Sequence, residues 1–137
     1  MARGLDSHLH RKDMLERLGK ELTRRAHHRC ELCDAAHVPL RAYEVPPIPD
    51  EPDVDHCAFI CDICREQIEQ PRRMDPNHWH GALTRSVWSG VPAVQTLAVA
   101  LLNRLAGAGD AADWALELSE QLFLEPEVSD WVERSGL

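Results

Sequence analysis

Two C-x-x-C pairs, Cys30-Glu-Leu-Cys33 and Cys61-Asp-Ile-Cys64, separated by 27 residues, constrain this chain more than any other feature. A C-x-x-C turn offers two thiolates from one short stretch of backbone. Two such turns complete a tetrahedral shell around a zinc ion at Zn–S distances of about 2.3 Å. Residues 30–64 must therefore fold so that the two turns meet. The reading is one structural Zn2+ held by Cys30, Cys33, Cys61 and Cys64. Redox or disulfide use of the pairs is disfavoured because no βαβ pattern surrounds either one, as a thioredoxin-type site would require. An iron or iron–sulfur centre is the other rival, and zinc is preferred to it. A shell of four thiolates leaves no open position for water or substrate, so it holds structure and performs no chemistry. Support for the sulfurs is expected from the backbone amides of Leu32, Asp34, Ile63 and Arg65 in the knuckle turns.

The surrounding segments predict an α+β fold: a small four-cysteine zinc ribbon or treble-clef-like element followed by a helical C-terminal region. Residues 1–10 read as a frayed end and residues 11–28 as a helix, with Met14, Leu15, Leu18, Leu22 and Ala26 on one face and Gly19 weakening it. Val38–Leu40 and Arg41–Val45 read as two short extended pieces, and Cys57–Ile60 as a short apolar strand. Between them Pro46, Pro47 and Pro49 end any strand, because proline cannot donate to a ladder. Arg65–Gln70 reads as helix. That run favours a treble clef, in which the second pair opens a helix, over a ribbon, in which both knuckles sit on hairpins. From Asp75 the chain reads as helical. Asp75-Pro76 is a cap with proline at the first position, and a dense apolar helix runs from Pro92 to Ala106 until Gly107-Ala-Gly109. Asp110 caps a helix bearing Trp114, Leu118 and Leu122, and a last one bears Val128, Trp131 and Val132 before Gly136. Three segments follow: residues 1–29, an N-terminal helical segment; 30–70, the zinc-binding domain; and 71–137, the helical region.

Charge is uneven. Residues 1–29 carry eight basic against four acidic side chains, while residues 105–137 carry one against eight, in a chain of net charge −8. Phosphate binding rests on a broad positive surface, so nucleic acid is not the favoured partner. The basic cluster Arg24, Arg25, His27, His28 and Arg29 reads as a solvated helix end, complementing the helix dipole. An unidentified protein or small molecule is the expected partner. No apolar run reaches the roughly 20 residues of a membrane span, and the reading is a cytoplasmic protein with reduced thiols.

Other reactive side chains are given structural roles. Cys57 reads as a small buried apolar residue sharing a strand face with Phe59 and Cys61. His56 reads as a solvated loop histidine. His78 and His80 flank Trp79 and, with Asp75, are the candidates for a second metal site, although capping and packing is the preferred role. The segment Asp75–Gln95 gathers His78, Trp79, His80, Arg85 and Trp88 and is the best candidate surface, with core packing ranked above function. The layout also resembles that of zinc-stabilised HNH nucleases, which use a histidine base on the hairpin. Here that hairpin reads Arg41-Ala-Tyr43-Glu44-Val45-Pro46, without one, and Arg65 stands where those enzymes often carry histidine. Glu44 reads as an exposed carboxylate rather than a metal ligand.

Taken together, Cys30-Glu-Leu-Cys33, Tyr43-Glu-Val-Pro-Pro47, Cys61-Asp-x-Cys64, Asp75-Pro-Asn-His-Trp79 and Trp88-Ser-x-Val-Pro-Ala-Val-Gln95 resemble the PhnA-type zinc-ribbon proteins, over roughly residues 22–105. The resemblance implies that Cys30, Cys33, Cys61 and Cys64 are the zinc ligands. It also implies a small bacterial cytoplasmic protein without an assigned activity. The β-rich C-terminal half of better-known members is replaced here by helices. The function expected is a non-catalytic binding or regulatory module. The alternatives are a metal-dependent hydrolase of phosphonates or phosphate esters, and a nucleic-acid-binding protein on a degenerate HNH-like scaffold.

Overall fold

All five residues of one short strand, Cys57–Cys61, are buried, and this sets the layout. A continuous apolar run marks a strand covered on both faces. The structure, a computed structural model, describes residues 2–108 and 113–137. The described elements are, in order, α1 (Ala2–Arg17), α2 (Gly19–Ala26), β1 (Leu40–Glu44), β2 (Cys57–Cys61), α3 (Asp62–Glu69), α4 (Pro76–Ser86), α5 (Pro92–Gly107), α6 (Asp113–Gln121) and α7 (Pro126–Ser135). Strands β1 and β2 pair antiparallel, with Leu40 opposite Cys61, Ala42 opposite Phe59 and Glu44 opposite Cys57. The architecture is thus α+β, with a two-stranded sheet among helices.

Each face of β2 meets a different layer. Cys57 and Phe59 pack with Leu22 of α2, and Leu15, Leu18 and Ala26 close around them. Ala58 and Ile60 point the other way, into the main core. Helix α5 is the centre of that core. Ala93, Val94, every residue from Thr96 to Leu102, and Leu105 are buried, as expected of a helix apolar on all sides. It packs against α4, α6, α7 and β2. One apolar cluster runs from Cys30 through Trp79 to Leu118, so residues of the 30–70 and 71–137 segments share a core.

The N-terminal region differs from expectation. Residues 1–10 do not fray where described: the helix begins at Ala2, and the expected single helix over 11–28 is two helices meeting at Leu18. The Leu18 amide is shared between Met14 and Leu15 carbonyls, and Gly19 follows, whose backbone freedom makes it a poor helix former. Helix α2 closes at His27, whose φ of 55° is left-handed. Val38 lies outside the sheet, and the two expected extended pieces are one strand, Leu40–Glu44. Helix α5 begins at Pro92 and ends at Gly107, and Gly136 caps α7 at φ 70°, where glycine has no Cβ to clash. The expected cap at Asp110 and the glycine stop at Gly109 lie outside the described residues.

Candidate metal centre

The first knuckle is built by short-range hydrogen bonds that fold residues 29–36 back on themselves. The Cys30 amide donates to the Ala35 carbonyl at 3.0 Å and the Asp34 amide to the Cys30 carbonyl at 2.9 Å. Asp34 takes the left-handed conformation, φ 67°, that lets the chain turn after Cys33. Aspartate tolerates that region better than most residues. The knuckle is stitched to the free edge of β2. The Glu31 amide donates to the Phe59 carbonyl, and the Phe59 amide donates back to Glu31 Oε1, each at 2.8 Å. Arg25 locks this pairing, with Nη2 donating to Glu31 Oε1 at 2.6 Å and to the Cys57 carbonyl at 2.7 Å.

The second pair straddles the start of a helix. Cys61 ends β2 and is the N-cap of α3, with Cys64 in the first turn. The ligand atoms of Cys30, Cys33, Cys61 and Cys64 all lie within 4.8 Å of one another. The Cys33–Cys61 and Cys30–Cys64 sulfur separations are 3.6 and 3.8 Å. A tetrahedron with Zn–S distances of about 2.3 Å has edges of about 3.8 Å, so this cage has the size of a four-thiolate site. Three of the cysteines are buried and Cys33 is half-buried. Among the described residues this is the only group of three or more such side chains whose ligand atoms gather.

Sulfurs this close share protons. Hydrogen bonding from Cys33 is the main force drawing the Cys30 thiol down to about 7, and hydrogen bonding with Cys30 draws Cys61 down as well. Cys33 and Cys64 are pushed up, chiefly through their bonds with Cys30. The backbone donors differ from those expected. Cys30 Sγ accepts from the amides of Cys33 and Cys61, each at 3.4 Å. The expected donors Leu32, Asp34, Ile63 and Arg65 do not form these bonds. The Asp34 amide is used by the Cys30 carbonyl instead.

The histidines do not converge. His56 Nδ1 lies 3.5 Å from the Asp53 carboxylate, and its ring lies 5.2 Å from that of Trp131. His80 stacks on Trp114 at 4.6 Å. His78 turns to the cysteine cluster, with Nε2 at 3.3 Å from Cys64 Sγ. A groove of about 560 Å3 lies beside the cluster, lined by Cys33, Cys61, Ile63, His78 and Ala82 among others.

Several residues singled out by the sequence do other work. Cys57 is fully buried beside Phe59 and Leu22, as a small apolar side chain, but Cys61 does not join that cluster. Glu44 is not an exposed carboxylate. It takes a bidentate bond from Arg11, at 2.8 Å from Nε and 2.5 Å from Nη2, with its side chain only 10% exposed. Arg25 is not a free solvated helix-end charge, since Glu31 and the Val54 and Cys57 carbonyls take up its guanidinium. Trp79 is fully buried, with Nε1 donating to Gln67 Oε1 at 2.7 Å. Arg85 pairs with Asp34 at 2.9 Å and holds that carboxyl below its usual range. Trp88 alone of the tryptophans is mostly exposed, at 52%. Most of the Asp75–Gln95 segment is therefore packing and cross-linking.

No protein-family model, curated protein or solved structure matches the chain. No helix is long and apolar enough to cross a membrane.

Proposed function

We propose that this chain is a zinc-binding module of PhnA type, in which one Zn2+ held by Cys30, Cys33, Cys61 and Cys64 organises a binding or regulatory surface without taking part in a reaction. The observation that carries this is the four-sulfur cage, its sulfurs all within 4.8 Å of one another, with two separations of 3.6 and 3.8 Å that match the edge of a tetrahedral thiolate site. A shell completed by four cysteines offers no position to a substrate. The treble-clef description fits better than the ribbon, because Cys61 caps α3 and Cys64 lies in its first turn. The PhnA-type reading rests on the motif residues; in the fold Asp75 caps α4 by accepting from the Asn77 amide, Trp79 fills the core, and Pro92 opens α5.

The hydrolase alternative draws on His78 and His80 as ligands, and their rings face Cys64 and Trp114 instead. The nucleic-acid alternative loses Arg25 from its basic set, because that guanidinium is bonded within the fold. Metal analysis of reduced, desalted protein tests the proposal. One zinc per chain, with no second metal acquired on titration, is the expected result. Metal-free protein, or cysteines joined as disulfides, would overturn it.

A further inference from the structure

Cys30 Sγ draws two donors from the backbone of the knuckles. The amides of Cys33 and Cys61 both donate to it, each at 3.4 Å. Among the hydrogen bonds of the described residues, no backbone amide reaches Cys64 Sγ. Its partner from outside the cysteine set is the imidazole of His78, 3.3 Å away on α4.

We propose that His78 is a positioning residue of the metal centre, donating its Nε2–H to the Cys64 thiolate and supplying there the charge relief that two backbone amides give Cys30. The inference rests on the zinc reading above. Four thiolates around a dication leave net negative charge on sulfur, and each N–H bond withdraws part of it, so losing such an outer partner costs about 10–100-fold in metal affinity.

The surroundings hold the ring in place. Asp75 and Pro76 start α4 just before His78. The imidazole sits edge-on to Trp79, with centroids 4.9 Å apart and planes at 83°. Trp79 is in turn bonded to Gln67. Gln67 lies on α3, the helix that carries Cys64, so α3 and α4 are joined by two neighbouring links, Trp79 to Gln67 and His78 to Cys64. The bond is thus a route by which metal occupancy fixes α4.

Protein loaded with 113Cd gives a direct test. A one-bond 15N–1H signal at His78 Nε2, with scalar coupling between that proton and the cadmium, is expected. A metal-loaded protein whose His78 Nε2 is unprotonated, or shows no coupling, would overturn the inference and leave the zinc reading standing. A chain binding neither zinc nor cadmium would overturn both. A second measurement uses His78→Leu, which keeps bulk, and His78→Gln, which keeps an N–H donor. Zinc transfer to a chromogenic chelator, and alkylation of Cys64 by iodoacetamide mapped by mass spectrometry, should quicken roughly tenfold or more in the leucine variant. The glutamine variant should stay closer to the parent. Equal rates in parent and leucine variant would sink the idea. Should the leucine variant not fold, the cadmium coupling in the unsubstituted protein decides.

Discussion

Cys57 and Asp34 show how single residues in this protein are tuned by their surroundings. Burial beside Phe59 and Leu22 pushes the Cys57 thiol up to about 11 from 9.0, because a thiolate there would be desolvated. A raised folded-state value contributes stability that is fully present below the unfolded value and is lost as pH rises through the folded one. Urea unfolding should therefore show stability falling between about pH 9 and pH 11, by on the order of 2 kcal/mol for this group. Cys57→Ala should flatten that part of the profile; an unchanged slope would contradict the assignment. At Asp34 the backbone matters more than the charge. Its pair with Arg85 is exposed, and exposed pairs contribute little, whereas its φ of 67° strains a β-branched side chain. Asp34→Gly should keep zinc content and melting temperature close to the parent. Asp34→Val should cost about 1–3 kcal/mol, seen as a lower melting temperature. The position after Cys33 is legible as a turn, but its link to Arg85 is a contact 51 positions along the chain that no local pattern encodes.

At the scale of elements, the sequence was most informative where burial is complete and the period unambiguous. Helix α5 starts at the expected proline and ends one residue past the expected Ala106, because its apolar density leaves no alternative. Its energetic weight is testable. Leu101 is fully buried, so Leu101→Ala should destabilise by about 2–5 kcal/mol in equilibrium urea unfolding. Leu116 on α6 is 56% exposed, and the same change there should stay within about 0.5 kcal/mol. Legibility fell at the N-terminal helices. The first ten residues are polar enough to read as loose, yet Arg11 reaches Glu44 and the Pro49 and Asp50 carbonyls. That long-range anchor holds α1 in place, and its partners lie more than thirty residues away.

Across the whole molecule, the cysteine cluster and the helical region are one problem rather than two. The main cluster contains Cys30, Cys61 and Cys64 together with Trp79, Leu97 and Leu118. Binding energy at such sites is folding energy, on the order of 10 kcal/mol or more. Cys33→Ser or Cys61→Ser should lose zinc, and the loss should reach beyond residues 30–70. Because Trp79 is fully buried, its fluorescence should shift to the red when the metal is removed by a strong chelator, and circular dichroism should fall with it. Native-like dichroism with unshifted emission would show that the helices stand without the metal.

The residue types and spacing alone fixed the identity of the four metal-binding candidates, the helix that opens on the second pair, and the buried helix at the centre. These follow from rules that act within a few residues: turn geometry, proline's missing donor, and the periodicity of apolar side chains. Tertiary structure alone decided which way His78 faces, that Glu44 and Arg25 are spent inside the fold, and that Cys57 and Cys61 belong to different clusters. Each of those outcomes depends on a partner brought close by chain folding, and the electrostatic and packing energies that choose it act through space, where sequence separation leaves no trace.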